Sequence, residues 1–297
     1  MLLSSRAYGS AFEQWRAAAG GRTEVWRLLL GLLIVVVFVL AGNVVLNSAL
    51  IQFAPWIFTQ TSEFGGTVAT MLVLLMAFGL ITIAVTIACV KVHHRGLDTV
   101  IGPTRRARGQ FLSVIRWLVG LQIVLWLFVP VYGDDIVANL PFGTWLFWLP
   151  FGLVAVFVQT SAEEILFRGY IQQQLAARFR SPLIWAWVPS MRFAAGHYMP
   201  VEVGPNAMAL ALWSGVFGLL LADLTARAGT LGPAIACHFA NNVASLLLVS
   251  LADGMNGLSL YVVPYDLDDP EALITWMPVE FASMFVIWLA ARVAIRA

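Results

Sequence analysis

Glu163, Glu164 and Arg168 close the apolar run Trp145 to Val158, in the stretch Gln159-Thr160-Ser161-Ala162-Glu163-Glu164-Ile165-Leu166-Phe167-Arg168-Gly169-Tyr170. Ionised groups are costly inside a lipid-spanning segment and by default mark a functional site. Glu164 and Arg168 are four residues apart, so on a helix they predict an ion pair. Glu163 is turned about 100° from Glu164. This predicts a Glu164–Arg168 brace, with Glu163 free for chemistry. The bland alternative places all three charges at the membrane surface. Three more polar residues lie in apolar surroundings. His197 ends Phe193-Ala194-Ala195-Gly196-His197, and His238 and Asn242 lie four apart in His238-Phe239-Ala240-Asn241-Asn242. One carboxylate, two imidazoles and one amide suit hydrolysis by water. The carboxylate takes a proton from water as general base. Imidazoles orient that water, bind a metal or donate to an oxyanion, and an amide N–H also stabilises an oxyanion. The competing reading is four unconnected polar residues packing helices through hydrogen bonds.

The chain that must position these groups has 297 residues, 60% of them hydrophobic and 11% charged, with a mean hydropathy of +0.85. Soluble domains carry about 25% charged residues. Apolar runs recur along the whole length, which predicts an all-α polytopic membrane bundle. Eight spans are expected: 25–50, 67–92, 111–131, one beginning near Thr144 that runs through the carboxylate stretch, 182–197, 206–225, 231–251 and 272–293. A span needs about 20 apolar residues. The fifth is short and contains Pro189, Arg192 and His197, and the first carries Asn43 and Asn47. Three regions follow: an N-terminal membrane region 1–143, a core 144–251 and a final part 252–297. Net charge is +1, and there is no basic patch of the kind nucleic acid requires. Cys89 and Cys237 read as inert buried thiols. The first residues form no cleavable signal; Arg6, Glu13, Arg16, Arg22 and Glu24 read as a short amphipathic lead-in. An internal repeat of the transporter kind is not visible.

Basic residues concentrate in cytoplasmic loops. Sixteen of the 17 fall on alternate connections of the eight-span arrangement, Arg192 being left over. Acidic residues without basic ones, Asp134, Asp135, Asp253, Asp266, Asp268 and Asp269, fill two of the other loops. Both termini are therefore expected in the cytoplasm. The arginine-rich, lysine-poor composition hints at a bacterial cytoplasmic membrane. His93 and His94, in the basic connector before Gln110, are expected at the surface and not as metal ligands. Gln172-Gln173-Gln174 is polar enough to stand in the cytoplasm. Counted from Ser181-Pro182, Glu163 and His197 lie at equal height. Glu163 and His238 are then both about 10–12 Å below the membrane surface at 1.5 Å per residue. Arg192 falls near the headgroups, and the backbone after His197 starts inside the membrane, where it must line a cavity or be buried in protein.

Glu163-Glu164-x-x-x-Arg168, Phe193-x-x-x-His197 and His238-x-x-x-Asn242, in this order, resemble the three motifs of the CPBP family. That family comprises CAAX prenyl endopeptidases of the second type and prokaryotic relatives, including bacteriocin-processing and immunity (Abi-like) proteins. Arg227-Ala228-Gly229-Thr230-Leu231-Gly232-Pro233 adds to the likeness, which covers about 144–251. The resemblance implies an intramembrane endopeptidase acting on a membrane-associated protein or peptide. In it Glu163 and His197 activate a water, His238 and Asn242 hold the oxyanion, and Glu164, Arg168 and Phe193 give structural support. Glu163, His197 and His238 are also a possible zinc set with an open water position; a metal-free glutamate mechanism suits the same residues. Lipids and a membrane-tethered substrate are the implied partners. The alternative of another class is a catalytically idle scaffold or immunity-type protein of the same fold.

Overall fold

The structure, a computed structural model, describes residues 8–58, 65–128, 136–252, 254–263 and 268–296. Arg6, Asp134, Asp135, Asp253, Asp266 and the end of the third predicted span lie outside these residues. The fold is a helical membrane bundle. Helix α1 (Ser10–Ala17) is followed by α2 (Val25–Phe53), α3 (Val68–His93), α4 (Thr104–Phe128) and α5 (Phe142–Arg178). Next come α6 (Trp187–Gly196), α7 (Ala207–Ala228), α8 (Gly232–Val243, continued by a wide turn Ala244–Leu248) and α9 (Pro270–Ala294).

Among the described residues, Val25–Phe53, Val68–His93, Phe142–Arg178, Pro200–Ala228 and Met277–Ala294 are long and apolar enough to cross a membrane. They correspond to the first, second, fourth, sixth and eighth predicted spans. The fifth differs from expectation. Instead of one helix over 182–197 there is a short turn, Pro182–Trp185, and then α6. Pro189 accounts for the break: it has no N–H for the Trp185 carbonyl, and its ring crowds that oxygen. The third span extends toward the basic end, where α4 opens with Arg105, Arg106 and Arg108. The seventh ends in a strand.

The outer surface follows the apolar sequence. On α2, Leu29, Leu33, Val36, Leu40 and Val44 recur at helical spacing and are exposed, as a lipid face requires. The opposite face is set by closeness. A Cβ on Gly31 would stand 1.8 Å from the Tyr170 hydroxyl oxygen, so only glycine admits that ring.

At the basic end the amphipathic lead-in is docked, not loose. Tyr8 donates to Asp223 Oδ1 at 2.8 Å, and Trp15 Nε1 donates to the Val100 carbonyl at 3.0 Å. Two expectations are corrected here. Gln172, Gln173 and Gln174 are buried, not solvated. Gln172 donates to the Ala222 carbonyl, and Gln173 to those of Trp15 and Thr99. His93 is buried too: Nδ1 donates to the Arg22 carbonyl at 2.9 Å and Nε2 accepts from Tyr170 at 2.8 Å. A docked α1 and the 93–101 connector cover these groups, so the Gln172 and Gln173 amide N–H groups turn to carbonyls inside the protein. His94 is exposed as expected.

At the opposite end a small sheet caps the bundle. Strands β1 (Val137–Ala138), β2 (Val249–Leu251) and β3 (Tyr261–Val263) run in the order β1-β3-β2, antiparallel then parallel. Trp145 Nε1 donates to the Leu247 carbonyl at 2.7 Å, tying the start of α5 to the end of α8.

Candidate active site

The site is assembled where α5, α6, α7 and α8 meet. Glu163 and Glu164 are the last residues before a widened stretch of α5, Ile165–Ile171, which carries Arg168. Such π-type turns occur frequently at functional sites. The predicted brace is present: Arg168 Nη1 donates to Glu164 Oε1 at 2.9 Å, with side-chain exposures of 1% and 0%. Phe193, from α6, lies under the guanidinium at 4.3 Å and meets Phe167 edge-on.

The α7–α8 turn delivers His238. Gly229 ends α7 at φ +65°, and a Cβ there would sit 2.5 Å from the Ala11 carbonyl oxygen. Thr230 and Leu231 follow, and Pro233 lies in the first turn of α8, where its missing N–H costs nothing. Small buried residues, Ala234, Ala236 and Cys237, let α8 approach closely. His238 enters between the two carboxylates. Its Nδ1 is 2.8 Å from Glu164 Oε1, and its Nε2 is 3.4 Å from Glu163 Oε2. The ring is held edge-on by Phe193 at 6.1 Å and Phe217 at 5.5 Å.

The expected division of labour is thereby refined. Glu163 and Glu164 do diverge along the helix, yet one imidazole meets both, one on each ring nitrogen. They differ in access. Glu164 is sealed, whereas the Glu163 side chain keeps 11% exposure. The two carboxylates thus share one imidazole and one guanidinium in a buried cluster.

Asn242 reaches this cluster through Gln159. Asn242 Nδ2 donates to Gln159 Oε1 at 2.8 Å, and Gln159 Nε2 donates to Glu163 Oε2 at 2.8 Å. His197 stands at the end of α6 against Phe193, with ring centroids 4.4 Å apart. Its Nδ1 donates to the Phe193 carbonyl at 2.9 Å, which leaves Nε2 as the acceptor. Among the described residues, no three His, Cys, Asp or Glu side chains gather closely enough to hold a metal ion. Glu163, His197 and His238 therefore do not form a preassembled zinc set: His238 directs both nitrogens at carboxylates.

Gln159 and Asp223 are buried polar residues outside the motifs. Gln159 lies four residues before Glu163, and that spacing was its available signal. Asp223, four residues before Arg227, binds that guanidinium at 2.8 Å as well as Trp288 Nε1 at 3.1 Å. Both are i,i+4 pairs visible in sequence, but their third partners come from distant helices.

Comparison with known proteins finds a family model that matches the part of the chain carrying the site. Residues 142–244 match the family described as Type II CAAX prenyl endopeptidase Rce1-like. This segment contains all three motifs and every residue of the cluster, in agreement with the resemblance read from the sequence. The family is one of membrane peptidases. Among curated proteins, the chain is 25% identical over 172 residues to the uncharacterized protein YyaK of Bacillus subtilis (strain 168). The aligned part is 55% of this chain and 56% of that protein, so the chain spans about half the length of the curated relative it matches. No solved structure matches.

Proposed function

We propose that the chain is an intramembrane endopeptidase in which Glu163 activates a water against a peptide bond of a membrane-associated protein or peptide. The observation that carries this is the unequal access of two carboxylates sharing one imidazole: the Glu164 side chain is fully enclosed in its ion pair, whereas that of Glu163 retains 11% exposure. Glu163 takes a proton from water as the water oxygen attacks the carbonyl carbon. The resulting oxyanion is held by an Asn242 N–H, with His238 beside it. Glu163 then returns the proton to the leaving amine as the C–N bond breaks. His197, whose Nε2 is left as an acceptor, orients the attacking water. No step is routed through a metal. We assign catalysis to the core 144–251 of an eight-span bundle with both termini cytoplasmic, in a bacterial cytoplasmic membrane.

One observation favours a second reading. Hydrogen bonds between His238 and Glu164 and from Asn242 to Gln159 tie α8 to α5, as an idle scaffold that uses these groups only for helix packing would have it. Comparing membrane-protein fragments in cells producing the wild type with those producing Glu163→Ala, His197→Ala or His238→Ala separates the two without a known substrate. Fragments that appear only with the wild type support the peptidase. The same fragments from all three variants, each present at normal level, overturn it.

A further inference from the structure

Gln159 belongs to none of the motifs, yet it touches two of the groups assigned to the reaction. It lies one turn before Glu163, 7% exposed. The direction of its hydrogen bonds is fixed by chemistry. An ionised carboxylate only accepts, so Gln159 must present its N–H to Glu163 Oε2, at 2.8 Å. Its amide oxygen then needs a donor, so Asn242 must present its own NH2, at 2.8 Å. Asn242 Oδ1 in turn accepts from Asn241 at 3.2 Å. One carboxylate thus sets the orientation of three amides in a row.

Two results follow for the geometry. Glu163 Oε2 is approached from two sides, by Gln159 and by His238 Nε2 at 3.4 Å. Among the described residues, nothing hydrogen-bonds the other oxygen, Oε1, and it is the one free to take a proton. Asn242 has two N–H groups. Gln159 occupies one, and the planarity of the amide then fixes the direction of the second.

We propose that Gln159 is a positioning residue that sets the Glu163 carboxylate and the free Asn242 N–H in one frame. This rests on the hydrolytic reading above. The rival account is that Gln159 only ties α5 to α8, as polar residues do between membrane helices. That account predicts lost stability and no selective effect on turnover.

The variant Gln159→Met keeps the length and shape of the side chain and removes both hydrogen bonds. Its first readout needs no substrate. The Glu163 carboxylate stretch is isolated in the infrared as wild type minus Glu163→Gln in detergent. In the Gln159→Met background this band shifts if the contact holds Oε2, and an unmoved band overturns the proposal. The second readout is cleavage of a fluorogenic peptide ending in a farnesylated cysteine segment, presented in vesicles. Turnover is expected to fall roughly 10- to 100-fold, as small misplacements of reacting groups do, with KM within about twofold. In an Asn242→Leu background the same change is expected to cost less than about threefold, because the two act as one unit. Wild-type turnover in Gln159→Met, with Glu163→Gln inactive, sinks the positioning role and leaves the hydrolytic reading standing. Activity in Glu163→Gln sinks the hydrolytic reading itself, while the infrared band still decides whether Gln159 holds the carboxylate.

Discussion

At the scale of single residues, the Glu164–Arg168 pair and Glu163 have opposite relations to stability. Removing one member of a buried ion pair leaves the other charge uncompensated, at about 3–5 kcal/mol. Arg168→Met is therefore expected to lower the unfolding midpoint sharply, and Arg168→Met with Glu164→Gln to recover much of that loss. Thermal unfolding in detergent measures both; equal damage in the single and double variants would mean that the pair is not the brace. Glu163→Gln is expected to lose about 10²–10⁴-fold in turnover, with stability unchanged or raised, because a group kept for function is rarely kept for stability. Chelator titration is expected to leave turnover unchanged, since His238 has both nitrogens directed at carboxylates. Inhibition reversed by zinc would require the site to rearrange around a metal. The brace, and a second acid turned away from it, were legible from spacing alone. That one imidazole would join both acids was not, because spacing along α5 says nothing about which helix supplies the ring between them.

At the scale of elements, close approach decides the packing. Gly31→Ala would drive a methyl into the Tyr170 hydroxyl, 1.8 Å from the new carbon. Overpacking of this kind costs typically about 1–3 kcal/mol. Tyr170→Phe in the same chain should recover only part of it, because the ring carbon is also near, at 2.9 Å, and His93 loses its partner. Unfolding midpoints of the three variants check this, and full recovery would place the strain elsewhere. A second expectation concerns α1. Gln173 holds the Trp15 carbonyl from 158 residues away. Gln173→Ala should therefore free the lead-in to protease before the bundle itself is cut, and an unchanged digestion pattern would show that the aromatic contacts suffice. The break before α6 was missed in reading 182–197 as one helix, although Pro189 carried its signal. The burial of three consecutive glutamines was not legible, because the carbonyls that take the Gln172 and Gln173 amides belong to α1, α7 and the 93–101 connector.

At the scale of the whole molecule, alternating basic connections predict the orientation, and two buried thiols make it testable. Cys89 and Cys237 are both buried, so an impermeant thiol reagent should leave them alone. A cysteine placed at Arg180 is expected to react from the cytoplasmic side and one at Asn256 from the other. Labelling of both from one side would overturn the eight-span arrangement. The helical bundle itself was evident from composition. The small sheet was not, because strands of two or three residues carry no detectable alternation.

The charge balance around His238 has a consequence for how the chain is made. The acids arrive in the nascent protein 74 residues before the imidazole that sits between them. Until α8 emerges from the ribosome, the fourth apolar segment offers the bilayer an acid excess, and each acidic or basic group at a helix centre costs about 2.5–3.5 kcal/mol on insertion. Nascent chains halted before residue 238 should hold that segment at the translocon or near the lipid boundary, seating it fully only once the later hairpin arrives.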